Sequence, residues 1–241
     1  MKRLRLSTGP AALFGAMVAA ALVAFLPMRL ALGWVGADDQ GLVARAVSGS
    51  IWSGTLTEAK FGDLSLGDVH ASLSPLPLLI GRASLGVSGP GGQGVPPLSG
   101  RAFISRHAAG IEKFTGRFAA GQAFQPLPVT AIDLDAVTVR FDGTACVAAE
   151  GRVRATLAGD IAGIALPPSI EGIVRCDAGA LLLPLASAAG TEAVALRISG
   201  DGGYRAELSI RPSDPAAITR LAASGFVPGA SGYSITVEGR F

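Results

Sequence analysis

The chain has 241 residues, a formal net charge of +2, 49% hydrophobic and 16% charged residues, 33 glycines and only 6% aromatics. No basic stripe with interleaved aromatics exists, which removes the electrostatic footprint of a nucleic-acid binder. Two cysteines without well-placed histidine partners are too few for a structural zinc site.

The N-terminus carries Lys2, Arg3 and Arg5, then an uncharged run from Leu6 to Met28. That run is about 23 residues, roughly 35 Å as helix, against a hydrocarbon core of about 30 Å. The basic cluster predicts a cytoplasmic N-terminus. The reading is a cytoplasmic tail over 1–9, a single transmembrane helix over 10–33 and an exported domain over 34–241. Arg29 and Trp34 suit the far interface. A cleaved signal peptide is the alternative, with Ala31-Leu-Gly33 or Val35-Gly-Ala37 as cleavage sites.

The exported part predicts a mainly β, antiparallel domain with one or two short helices. Ser48 to Phe61 holds apolar positions broken by Gly49 and Gly54. Leu64, Leu66 and Val69 alternate, with Ala71 and Leu73 extending the pattern as far as the Pro75-Leu-Pro77 break. Leu78-Leu-Ile80 then begins another apolar run. Ala83, Leu85 and Val87 alternate with Ser84, Gly86 and Ser88, the period of a half-buried strand. Residues 89–100 read as a loop, and Ala102–Ser105 and Lys113–Phe118 as short strands. Gln125-Pro-Leu-Pro128 is a further break. Val137 and Val139 alternate, as do Val153, Ala155 and Leu157.

The clearest hairpin joins Val194, Leu196 and Ile198 to Tyr204, Ala206, Leu208 and Ile210 through Gly200-Asp-Gly-Gly203. Asp214 then reads as an N-cap and Pro215 as the first helical residue. Ile218 and Leu221 share a helix side, and Gly225 suits a left-handed C-terminal position with Phe226 against Leu221. A strand from Tyr233 closes the chain.

The cysteines, Cys146 and Cys176, both fall in strand-like segments. In an oxidising compartment beyond the membrane they predict a disulfide; two buried free thiols are the alternative. Gly89-Pro-Gly91-Gly-Gln-Gly94 matches a nucleotide-loop spacing, but Pro90, Pro96 and Pro97 forbid the helix that such a loop requires. His70 and His107 have no nucleophile motif beside them. Asp133 and Asp135 share one strand face and read as solvated. The residues therefore predict no enzyme, no cofactor, no metal and no small-molecule substrate.

Four phrases resemble the type II secretion system protein N family, also called general secretion pathway protein N. They are Val47-Ser-Gly-Ser-Ile-Trp52-Ser-Gly54-Thr-Leu56, then Leu66-Gly-Asp-Val69 with Leu73-Ser-Pro-Leu-Pro-Leu-Leu-Ile-Gly-Arg82, then the Cys146/Cys176 pair with Gly151 between, and finally Gly225-Phe226 before Gly232-Tyr233 and Gly239. Ala71-Ser72 stands where the family pattern leads one to expect an aromatic. The resemblance implies a single-pass inner-membrane protein with its bulk in the periplasm. Its role would be structural or coupling work in exporting folded proteins across the outer membrane. Its partners would be other inner-membrane and periplasmic subunits of the same machine, and membrane lipid. No catalytic residue is implied. Trp52, Leu76, Leu78, Leu79 and Ile80 are the candidate contact surface, with a core tryptophan and a buried strand as the alternative.

Three rival readings remain. One is an AsmA-like periplasmic lipid-handling protein with an apolar inner face. The second is an outer-membrane barrel ending at Phe241, which needs strands of about 9–11 residues. The third is a periplasmic enzyme.

Overall fold

A computed structural model describes residues 10–36, 41–61, 64–90, 97–119, 129–161, 163–212, 214–229 and 232–240. The basic cluster at Lys2–Arg5, most of the Gly89–Gly94 match, the Gln125–Pro128 break and Phe241 lie outside these residues.

The N-terminal apolar run is divided into two helices. Helix α1 spans Pro10–Ala24 and α2 spans Met28–Val35. The interruption is at Pro27, whose backbone is extended (φ −64°, ψ 134°). Proline lacks an amide donor and biases the residue before it away from helix, so α1 stops ahead of it. Helix α2 closes at Gly36 in the left-handed conformation. Among the described residues no helix is long and apolar enough to cross a membrane. The two helices differ in surroundings. Leu13, Phe14, Met17, Leu22 and Phe25 are exposed, whereas Met28 at the start of α2 is buried.

The rest is one large antiparallel sheet. Its first strands are β1 (Leu42–Val43), β2 (Ala46–Ser50), β3 (Ser53–Phe61) and β4 (Leu64–Leu73). A short helix, α3 (Pro75–Leu78), leads to β5 (Ala83–Gly89), β6 (Leu98–Ile104) and β7 (Ala108–Ala119). The longest strands follow, β8 (Val129–Asp142) and β9 (Ala145–Leu157). A small separate hairpin, β10 (Asp160–Ile161) with β11 (Ile164–Ala165), precedes β12 (Ser169–Ile173), β13 (Arg175–Asp177) and β14 (Ala180–Ala186). The last part comprises β15 (Glu192–Ile198), β16 (Gly203–Ile210), helix α4 (Pro215–Ala223), β17 (Val227–Gly229) and β18 (Gly232–Arg240). The strand path runs β1-β3-β4-β5-β6-β7-β8-β9-β12-β14-β15-β16-β18-β17, with an additional pairing of β4 with β7.

Several strands are longer than the sequence patterning predicts. Strands β7, β8 and β9 run 12, 14 and 13 residues, and β6 begins at Leu98, inside the stretch read as loop. Alternation fails to reveal their length because bulges shift the phase partway along. Glu58, Lys113 and Ala136 each adopt φ of +49°, and each lies at a register shift in β3, β7 or β8. Such a residue leaves the ladder, and its amide needs another acceptor. Asp68 Oδ1 accepts from the Glu58 amide at 2.9 Å. Thr138 Oγ1 accepts from the Lys113 amide at 3.1 Å, and Thr115 Oγ1 from the Ala136 amide at 3.0 Å. Adjacent bulges on β7 and β8 are thus clamped by a threonine from the opposite strand. Bulges increase twist, and the sheet curls until β4 meets β7 at Ser65 and Ala119.

Two apolar clusters fill the curled sheet. The first gathers Met28, Leu56, Ala59, Val69, Ala71, Leu98 and Phe118. The second gathers Val137, Val153, Ile170, Leu208, Ile210, Leu221, Phe226 and their neighbours. Leu134 packs against both. Helix α4 covers the second cluster as its sequence predicts. Asp214 accepts from the Ala216 amide at 3.0 Å, Leu221 is fully buried, and Gly225 has φ +88°. The Phe226 amide bonds the Leu221 carbonyl at 3.1 Å, which seats the buried Phe226 beneath the helix end. The predicted β15–β16 hairpin is present, with Val194 opposite Leu208 and Ile198 opposite Tyr204.

Candidate functional site: the helix–sheet junction

The junction is built from the phrase Ser48 to Gly54. Gly49 and Gly54 are cross-strand partners in the β2–β3 hairpin, and Ile51-Trp52 form its turn. Both positions exclude a side chain. A Cβ on Gly54 would overlap the Met28 sulfur and come within 2.9 Å of the Ser48 carbonyl oxygen. Gly49 has φ +90°, and a Cβ there would lie 2.8 Å from the Gly54 Cα. Ala71 is the partner of Gly54 on the other side, in β4. Gly54 leaves the space that Met28 fills, and Ala71 packs in the same cluster.

The turn of this hairpin receives the break between α1 and α2. The Ile51 amide donates to the Leu26 carbonyl at 3.0 Å, and Pro27 bridges to Ser50. The Trp52 Nε1–H donates to the Val23 carbonyl at 3.1 Å. The last carbonyls of a helix have no i+4 donor, so Trp52 supplies one to Val23 near the end of α1, and Ile51 supplies one to Leu26 in the break that follows. Trp52 is therefore neither a core residue nor free surface; it is half-buried with its indole capping a helix end. Beneath α2 lies a cavity of about 260 Å³ lined by Arg29, Leu32, Leu42, Ala44, Val47 and Leu56.

Residues 74–82 stand beside this junction. The Leu73 amide donates to the Ile51 carbonyl at 3.2 Å, so β4 ends next to the same turn. Helix α3 and the turn after it form a knuckle closed by four backbone hydrogen bonds, from Leu79 to Leu76, Ile80 to Pro77, Gly81 to Leu78 and Arg82 to Pro77. Leu76, Leu79 and Ile80 are 76%, 83% and 81% exposed, and Leu78 is 38% exposed. The strand alternative for this run does not hold, because Pro75 and Pro77 remove ladder donors and favour the helical turn.

Arg82 follows the knuckle. Its Nη2 lies 2.5 Å from Glu112 Oε1 and its guanidinium 4.0 Å over the Phe103 ring, while its buried Nε has no acceptor among the described residues. Arg101 reaches the other Glu112 oxygen at 3.7 Å. These residues and the knuckle border a groove of about 520 Å³.

Cys146 and Cys176 form a disulfide with Cα atoms 5.5 Å apart. It ties the start of β9 to β13, reinforced by the Cys146 amide bonding the Gly179 carbonyl at 2.7 Å. The residues weighed for catalysis do not converge. His70 lies in β4 with Nε2 3.4 Å from Ser53 Oγ, and His107 lies in the turn between β6 and β7. Asp133 and Asp135 in β8 stand opposite Arg154 and Arg152 of β9, and Arg117 is 3.7 Å from Asp133. Glu171 pairs with Arg154 at 2.9 Å. Among the described residues no group of three or more His, Cys, Asp or Glu side chains could hold a metal ion.

Sequence reasoning singled out Trp52 but not Met28, Gly54 and Ala71, which pack together at its hairpin. The visible signal was a pair of glycines bracketing a tryptophan; what fills the space above them is a residue from outside the hairpin.

No curated protein and no solved structure matches this chain. The family described as "Type II secretion system (T2SS), protein N" matches residues 40–236, from just after α2 to the last strand. Its match covers the tryptophan hairpin, the knuckle and the disulfide together, and the chain belongs to that family.

Proposed function

We propose that this protein is an inner-membrane-anchored, periplasmic component of a type II secretion machine, with a structural or coupling role in moving folded proteins across the outer membrane. The family match carries the secretion role. Anchoring is supported by the N-terminal sequence. Leu6 to Phe25 contains no charged residue over about 20 positions, roughly 30 Å as helix. The large apolar side chains of α1 and Phe25 have no cover from the sheet. Leaving seven such side chains in water costs on the order of 10 kcal/mol, and lipid removes that cost.

The junction supports a coupling role. Trp52 and Ile51 hydrogen-bond the end of α1 to the first strands, and Met28 wedges α2 into the core. A load on the sheet therefore reaches the anchor through a packed connection. Partner subunits in the inner membrane and periplasm would meet the exposed surfaces of this assembly.

The test is a deletion strain scored for exported enzymes, with detergent sensitivity measured in parallel. Cargo trapped in the periplasm behind an intact outer membrane is the expected result. Normal export with a leaky envelope would overturn it and favour lipid handling.

A further inference from the structure

We propose that the Leu76–Ile80 knuckle is a second membrane contact, lying in the surface of the same bilayer that holds α1. This rests on the anchoring reading above. Three observations lead to it. First, position: two backbone hydrogen bonds, Ile51 to Leu26 and Leu73 to Ile51, place the base of the knuckle beside the end of α1. Second, chemistry: residues 71–81 contain no titratable side chain. Leu76, Leu79 and Ile80 are each more than three-quarters exposed. Their backbone is closed by its own hydrogen bonds, so these side chains are held outward by a formed turn. Clustered apolar groups of this kind on a surface mark an interaction site.

Third, charge separates a bilayer from a protein partner. The groove at the knuckle's base presents two guanidiniums, Arg82 and Arg101, against the single carboxylate of Glu112. Arg29 is exposed on neighbouring α2. An apolar tip with a cationic base matches the layering of acyl chains beneath anionic headgroups. With α1 and the knuckle both engaged, the sheet has two attachment points and a defined tilt on the membrane.

The test uses the full chain with Leu79→Cys, the native cysteines remaining bridged, labelled with an environment-sensitive fluorophore. It is reconstituted in vesicles of phosphatidylethanolamine and phosphatidylglycerol. Val227→Cys, also exposed but in β17 at the other end of the strand path, is the reference. The Leu79 probe should be blue-shifted relative to the reference. Lipids with a nitroxide near the head of the acyl chain should quench it more than lipids labelled near the tail, as for an insertion of about 5–10 Å. A Leu79 probe as wet and unquenched as the reference, in a chain that resists alkaline extraction, overturns the knuckle contact and leaves the anchor standing. A chain extracted by alkali overturns the anchor and the inference with it. A probe shielded in native membranes but not in vesicles identifies a protein partner and overturns the bilayer as occupant.

Discussion

Breaking the Cys146–Cys176 bridge should reduce stability by an amount set mainly by loop length. The two cysteines are 30 positions apart. In the chain-entropy account, closing such a loop restricts the unfolded ensemble by about 3.6 kcal/mol at 25 °C. The native side needs little adjustment, because the start of β9 is also held by the Cys146–Gly179 backbone bond and by pairing with β8. For a chain of this size 1 kcal/mol shifts Tm by about 2–4 °C, so Cys146→Ser should melt roughly 7–15 °C lower than the unmodified protein. The assay is thermal unfolding of the full chain in detergent, with and without reductant. The difference should be present without reductant and vanish with it, the unmodified protein falling to the level of the variant. Coincident melting curves without reductant would refute the reasoning, since they would mean that the bridge does not restrict the unfolded chain.

Three further outcomes follow from the packing. Gly54→Ala should overpack the junction and cost about 1–3 kcal/mol, with faster amide hydrogen exchange across residues 28–35 as α2 loosens; unchanged exchange there would show that Met28 is not wedged against Gly54. Leu221→Ala removes a fully buried side chain of α4 and should cost about 2–5 kcal/mol in chemical denaturation; a loss well under 1 kcal/mol would mean that the second cluster does not depend on α4. Ala136→Gly relieves a left-handed alanine at φ +49° and should stabilise by about 0.5–1 kcal/mol; a destabilised variant would contradict the bulge in β8.

The interruption of the N-terminal apolar run has a physical consequence at the junction. Proline at position 27 divides the apolar run, and the division is the point at which the sheet takes hold. A single uninterrupted helix would have presented no free carbonyls there to Ile51 and Trp52. The proline thus turns a helix end into an attachment site, and Gly54 leaves room for Met28 to come close.

Local chemistry made much of this protein legible from its sequence. Asp214-Pro215 and Gly225-Phe226 determine the limits of α4, because caps and left-handed turns depend on a few adjacent residues. The β15–β16 hairpin follows from alternation around a glycine-rich turn, and the Cys146–Cys176 bridge joins two cysteines that both stand in strand-like segments. The bulges at Glu58, Lys113 and Ala136 were not legible, since a left-handed non-glycine residue has no local signature and is sustained by an acceptor on the neighbouring strand, 10, 25 and 21 residues away respectively. The lengths of β7, β8 and β9 were hidden for the same reason. The tertiary structure alone decided that Met28 belongs to the sheet's core, that Trp52 caps a helix, and that Leu76, Leu79 and Ile80 point outward. Each of these depends on which segments meet in space, and hydropathy along the chain carries no information about the partner that covers an apolar side chain or leaves it bare.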